Sequence, residues 1–123
     1  MNLHEFQAKR LFAGYRIPVP YGVAVDSAEL AFEAAQEMGG DRWVVKAQAH
    51  TGGRGKAGGV VLADSPEQVR QEAQRMLDSR LVTKQTGAAG LPVSYILVEE
   101  PSQIARELYL SVLVDRATRR VLV

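Results

Sequence analysis

Trp43-Val44-Val45-Lys46-Ala47-Gln48 runs into His50-Thr51-Gly52-Gly53-Arg54-Gly55-Lys56-Ala57-Gly58-Gly59, and Val60-Val61-Leu62 follows at once. The outer segments are apolar and β-branched, which suits strands. The stretch between them holds five glycines in ten residues. Glycine lets the chain turn at positive φ and brings backbone N–H groups close to a ligand with no Cβ in the way. Successive free N–H groups form an anion-binding nest, and Arg54 and Lys56 add positive charge. Charge-assisted hydrogen bonds are worth roughly 1.5–3 kcal/mol each, so several together suit a di- or triphosphate.

The spacing narrows the kind of loop. A Walker motif needs a Gly with four residues between it and Gly-Lys-Ser/Thr; here His50 stands at that Gly position and Ala57 follows Lys56, so that reading fails. Gly53, Gly55 and Gly58 fit G-x-G-x-x-G, but a dinucleotide site needs a helix next, and Gly59-Val60-Val61-Leu62 reads as a strand. The kinase-type glycine loop fits Gly53, Gly55, Gly58 and Val60, yet none of the downstream kinase motifs is present. A flexible strand–loop–strand lid over phosphates remains. In the leading strand, period two puts Val44, Lys46 and Gln48 on one face and Trp43, Val45 and Ala47 on the other. A lysine between valines in a half-buried strand needs a partner for its charge, and a phosphate is a natural one. Taken singly, a glycine hairpin is also what a mobile turn looks like, and a strand lysine also occurs at a solvated edge. The two in this order favour a phosphate site.

Working outward, Asn2 and Glu5 have the spacing of a capping box before a helix with Leu3, Phe6, Leu11 and Phe12 on one side and Gly14 as its stop. Pro18 and Pro20 force an extended segment, and Gly22 to Val25 reads as a strand. Ser27 caps a helix carrying Ala31, Ala34, Ala35 and Met38, ended by Gly39-Gly40. Ser65-Pro66-Glu67-Gln68 starts another helix, with Val69, Ala73, Met76 and Leu77 on one side. Thr83 to Gly90 reads as a loop, Val93 to Glu99 as a strand broken by Pro101, Leu108 to Val114 as a further strand, and Asp115 to Arg119 as a turn into Val121-Leu122-Val123. The middle is thus strand, helix, strand, strand, helix, strand. This is a split βαβ order, an α+β two-layer sandwich with helices against a sheet.

Composition sets the outer bounds. The 123 residues suffice for one hydrophobic core, and 46% hydrophobic with 24% charged residues is ordinary for a globular domain. A net charge of +1 gives no broad basic field for nucleic acid. The absence of cysteine excludes disulfides and thiolate metal sites. The start is unlike a secretory leader or a transit peptide, and no run approaches a membrane span, so a cytoplasmic setting is expected. Glu99, Glu100 and Glu107 surround Pro101-Ser102-Gln103; two acids at a strand end suit ribose hydroxyls or a base, and more often are simply a solvated strand end. His4 and His50 are the only histidines, with no spacing for a triad or metal site.

The residues Met1-Asn2-Leu3-His4-Glu5-Phe6-Gln7-Ala8-Lys9, Val44-Val45-Lys46-Ala47-Gln48, Gly52-Gly53-Arg54-Gly55-Lys56-Ala57-Gly58-Gly59-Val60 and Ile104-Ala105-Arg106-Glu107-Leu108-Tyr109-Leu110 closely resemble the start of the succinyl-CoA synthetase β-subunit family. Val114-Asp115-Arg116 and Arg119-Arg120-Val121 carry the likeness to the end of the chain. The resemblance implies an ATP-grasp fold, with residues 1–20 as an N-terminal helix and linker belonging to the second lobe, 21–100 as the small lobe, and 101–123 as the hinge and the start of the second lobe. It implies that Lys46 and Gly53-Arg54-Gly55 contact phosphates of ATP or ADP, that Glu99 and the backbone at Ser102 lie at the base and hinge, and that Glu107 meets the ribose. The implied reaction joins succinate and CoA with ATP, giving succinyl-CoA, ADP and phosphate, through a phosphohistidine on an α subunit that also carries the CoA site. Neither His4 nor His50 is expected to be that histidine. No catalytic residue and no metal ligand is expected within these residues. The Mg²⁺-binding Asn and Asp are expected beyond residue 123, so the chain alone is expected not to turn over. Pro20 matches the ATP-preferring members. Thr51 departs from the more usual alanine or valine, and Glu100-Pro101 from a smaller pair. A sister acid–CoA ligase such as malate–CoA ligase, and a non-catalytic nucleotide- or partner-binding module, are the alternatives.

Overall fold

In the computed structural model, which describes residues 2–123, two serines start the central helices as expected. Ser27 Oγ accepts from the Leu30 N–H at 3.2 Å, opening α2 (Ala28–Met38), and Gly39, at a φ of 68°, closes it. Ser65 Oγ accepts from the Gln68 N–H at 3.1 Å, with Pro66 in the first turn, opening α3 (Pro66–Leu77). The Gln68 side chain reaches back to the Asp64 N–H at 2.9 Å, satisfying a further donor. Helix α1 (Glu5–Gly14) departs from expectation at its start. Its N-cap is His4, whose N–H donates to Gln7 Oε1 at 2.8 Å, so the Asn2–Glu5 capping box does not form. Glu5 is already the first helical residue, and its carboxylate is drawn elsewhere. Met1 of the N-terminal motif lies outside the described residues.

Four strands make the main sheet: β1 (Gly22–Val25), β2 (Trp43–Gln48), β3 (Val60–Ala63) and β6 (Tyr95–Glu99). Their order is β1-β6-β2-β3, with antiparallel neighbours throughout. Strands β1 and β2 therefore run parallel with β6 between them, and β3 and β6 run parallel with β2 between them. Helices α2 and α3 are the two crossovers, each skipping one strand. This is the split βαβ arrangement that the order of elements implied.

Register assigns the faces. Val45 lies opposite Val61 and Val98, and Ala47 opposite Ile96. With Val25, Trp43 and Ala63 these residues form the buried face, against Ala31, Ala34 and Ala35 of α2 and Val69, Ala73 and Met76 of α3. Alanines on α2 let its backbone approach closely, while Met76 fills the volume beneath α3. The opposite face carries Val44, Lys46 and Gln48, as period two required, and the register adds Leu97 opposite Lys46 and Glu99 opposite Val44.

Four further departures lie at the edges. Arg80–Leu81 (β4) pairs with Leu91–Pro92 (β5), so the stretch expected to be only a loop is the tip of a short hairpin. The strand expected from Val93 starts at Tyr95. That expected over 108–114 shrinks to β7 (Leu113–Asp115), which pairs with β8 (Arg120–Leu122). Leu108, Tyr109 and Leu110 are exposed, with no neighbouring strand among the described residues to supply hydrogen bonds. The apolar side expected of α1 is also not buried, for Leu11 and Phe12 are exposed.

Met76 is among the largest fully buried side chains. Met76→Ala is expected to lower unfolding free energy by about 2–5 kcal/mol, read as a drop in urea midpoint with an unchanged slope.

Candidate functional site

On the sheet face away from α2 and α3, five charged side chains meet. Lys46 rises from the middle of β2, and its Nζ donates to Glu99 Oε1 at 2.7 Å and to Glu5 Oε1 at 3.0 Å. Glu5, in the first turn of α1, also receives Arg54 Nη2 on its other oxygen at 2.6 Å. Lys9, one turn after Glu5, pairs with Glu5 at 3.0 Å and with Glu99 Oε2. Arg54 is anchored on its second nitrogen, for Nη1 donates to the Ala47 carbonyl at 2.8 Å. Three cations thus face two carboxylates, which leaves one positive charge in excess.

Lys46 therefore has the partner its burial demands, but that partner is a pair of carboxylates. The free-phosphate reading of its charge is corrected to this extent. Burial pulls the Lys46 ammonium down, yet the bonds to Glu99 and Glu5 outweigh it and hold its pKa above the ordinary lysine value. Burial would raise Glu5, but Lys9, Arg54 and Lys46 bring its carboxyl down to about 2.

The glycine stretch folds as a tight turn between β2 and β3. Gly59 N donates to Arg54 O at 2.8 Å and Ala57 N to Arg54 O at 3.1 Å, while Ala47 N donates to Gly59 O at 2.8 Å. Gly53, at a φ of 74°, adopts a backbone that a side chain would strain. The N–H groups of Gly53, Arg54, Gly55 and Lys56 make no hydrogen bond among the described residues. They are four successive donors in the turn that carries Arg54, the arrangement an anion nest would need.

The turn is tethered on its other flank. Buried Thr51 places its Oγ1 2.8 Å from Thr83 Oγ1, and Gly52 N donates to Gln85 Oε1 at 2.8 Å. The hydroxyl that sets Thr51 apart from alanine or valine is thus used. Between the turn and residues 82–85 lies a groove of about 750 Å³, lined by Gly53, Arg54, Gly55, Lys56, Thr83 and Lys84 among others. A second groove, of about 380 Å³, lies between α1 and β1, with Phe6, Lys9, Pro20, Tyr21, Leu97 and Glu99 on its walls. Glu99 closes the end where Glu100 N donates to Tyr21 O at 2.9 Å.

Of the residues singled out from sequence, Lys46, Arg54 and Glu99 belong to one cluster, and Gly53 and Gly55 border it. Ser102 and Glu107 lie apart from it in hydrogen bonding, on the exposed stretch 100–112 that leaves β6. The sequence reading missed Glu5 and Lys9. Their i, i+4 spacing on a helix was the available signal, but nothing local says that the helix lies over the sheet face carrying Lys46. The histidines meet each other instead, with the His4 and His50 rings 4.1 Å apart. Burial, then His50 and Arg54, lower the His4 pKa. Among the described residues no group of three or more His, Cys, Asp or Glu could hold a metal ion, and no helix is long and apolar enough to cross a membrane.

A carboxyl depressed from 4.5 to about 2 contributes stability that is complete above its unfolded pKa and lost as pH falls through the folded one. Urea titrations between pH 6 and 2 are expected to show wild-type stability falling by up to about 3 kcal/mol in that window. In Glu5→Gln this component is absent.

Comparison with known proteins agrees with this geometry. The profile of the ATP-grasp domain family matches residues 2–123. Over 121 residues the chain is 61% identical to the succinate–CoA ligase [ADP-forming] subunit beta of Marinomonas sp. (strain MWYL1). It is 60% identical to the protein of that name from Aliivibrio salmonicida and 58% identical to that from Thioalkalivibrio sulfidiphilus. Each match covers 98% of this chain and 31% of the relative, so the chain spans about a third of the length of these proteins. With a split βαβ sheet, a glycine turn and a strand lysine in one place, and the profile matched from residue 2 to the last, the chain belongs to the ATP-grasp domain family.

Proposed function

We propose that this chain is the nucleotide-gripping lobe of an ADP-forming succinate–CoA ligase β subunit. The observation that carries the reading is that Lys46 and Arg54 meet on one carboxylate, while the turn carrying Arg54 holds four N–H groups, Gly53 to Lys56, unpaired among the described residues. These groups would hold the polyphosphate of ATP or ADP, the amides by direct hydrogen bonds and the cations by charge. When bound, the nucleotide supplies the phosphoryl group. The chain's own residues orient it and neutralise charge as that group moves, a mainly electrostatic contribution.

The rest of the reading extends from there. The groove between α1 and β1, bounded by Pro20, Tyr21 and Glu99, supports a base at that end, with the backbone near Ser102 as hinge and Glu107 reaching the ribose. The sheet spans Gly22 to Glu99, which supports residues 21–100 as the small lobe, with 1–20 and 101–123 belonging to the second. The described residues do not suit Mg²⁺. Glu99 is committed to cations, and no group of three or more His, Cys, Asp or Glu among the described residues could hold a metal ion, so the ion's ligands are assigned elsewhere in the enzyme and no step is routed through it. An α subunit bearing the phosphohistidine and the CoA site, and a bacterial cytoplasmic setting, complete the proposal. The relatives' naming as a subunit beta supports a partner subunit, and their sources support a bacterial setting.

Calorimetric titration with ADP tests it. The chain is expected to bind, and Lys46→Ala to lose about 1–3 kcal/mol of affinity. Equal affinity in the two would remove Lys46 from the site, and absence of binding to the parent chain would overturn the nucleotide reading.

A further inference from the structure

The two side chains best placed to hold phosphate already hold a carboxylate. Glu5 offers one oxygen to Lys46 at 3.0 Å and the other to Arg54 at 2.6 Å, so a single planar anion bridges the strand lysine and the glycine turn. A phosphate presents the same chemistry, with oxygens spaced to accept from an ammonium and a guanidinium at once. We propose that Glu5 is a built-in counter-ion that occupies the phosphate position and must be displaced by an incoming polyphosphate, which sets the affinity and favours multiply charged ligands. This rests on the nucleotide reading above.

Three observations support exchange over a fixed bridge. The first is charge. With both carboxylates in place the cluster has a single excess positive charge, too little for a diphosphate; with Glu5 withdrawn, it has two. The second is the ease of release. Glu5 sits in the first turn of α1, a helix with no buried residue, so its side chain can swing to solvent without opening the core. Helix α1 keeps other attachments when it does: Phe6 N donates to Gln48 Oε1 at 3.1 Å, and the Phe6 ring lies 5.7 Å from that of Tyr95. The third is the contrast with Glu99, which is almost wholly buried and keeps both Lys46 and Lys9. Glu99 orients the lysines; Glu5 is the exchangeable partner. A neutral or singly charged ligand gains too little to expel a carboxylate held by three cations, whereas a diphosphate replaces it with more charge and also meets the free amides of the turn.

The test is ADP titration of the wild-type chain, Glu5→Gln and Glu5→Asp, with folding checked by circular dichroism. Removing the competitor is expected to tighten ADP binding about tenfold, the equivalent of one charge-assisted hydrogen bond. Glu5→Asp keeps the charge but is one methylene short of bridging Lys46 and Arg54, so it is expected to bind a few-fold more tightly than wild type. It decides the matter if the Gln variant does not fold. Equal or weaker binding by the folded variants, with wild type binding ADP, would overturn the counter-ion role and leave the nucleotide reading intact. Absence of binding in every chain would overturn both.

Discussion

A lysine ammonium cannot sit in the middle of a half-buried sheet without an anion, and the geometry of this molecule follows from that constraint. Lys46 is on the central part of β2, flanked by β6 on one side and β3 on the other. The antiparallel register brings Glu99 of β6 within reach, and α1 lies across the same face to deliver Glu5. The charge of Lys46 thereby joins an edge element, a central strand and the glycine turn that carries Arg54. A neutral residue at this position would leave Glu99, which is almost fully buried, with Lys9 alone for its charge.

Division of labour between the two sheet faces makes such a cluster affordable. The face against α2 and α3 is apolar and closely filled, with Val45, Ala47, Ile96 and Val98 fully buried, and supplies the burial that stabilises the fold. The other face is freed for ionic chemistry. With α1 laid across it, it collects the cations Lys9, Lys46 and Arg54 around Glu5 and Glu99. Rigid strands hold Lys46 and Glu99, while Arg54 and the amides ride on a turn stitched to residues 83–85 by Thr51 and Gly52. A firm base with a tethered turn is what a site needs if it is to close on a polyanion without unfolding.

Local patterns in the chain gave good access to the elements that make their own start and stop signals. Ser27 and Ser65 announced α2 and α3 because a hydroxyl at the cap satisfies an amide within the same few residues. The alternation in β2 announced its two faces for a similar reason, since pleating is local. The edges were less legible. The hairpin of Arg80–Leu81 and Leu91–Pro92 has strands of two residues, too short for periodicity. The stretch around Leu108 has strand-like residues, but whether it is a strand depends on a partner for its backbone, which no local pattern records.

For the site, the sequence by itself determined that a basic, glycine-rich turn would follow a strand whose lysine lies on the face opposite Trp43, Val45 and Ala47, because strand period and glycine's freedom at positive φ act over a few bonds. It also determined that Lys46 would need an anion. Which anion was decided only by the tertiary structure. Glu5 and Glu99 stand 41 and 53 residues from Lys46 in the chain, and only the β1-β6-β2-β3 order, with α1 laid over its open face, brings all three together. Coulomb attraction depends on distance in space, and the spatial distance between residues far apart in sequence is set by topology.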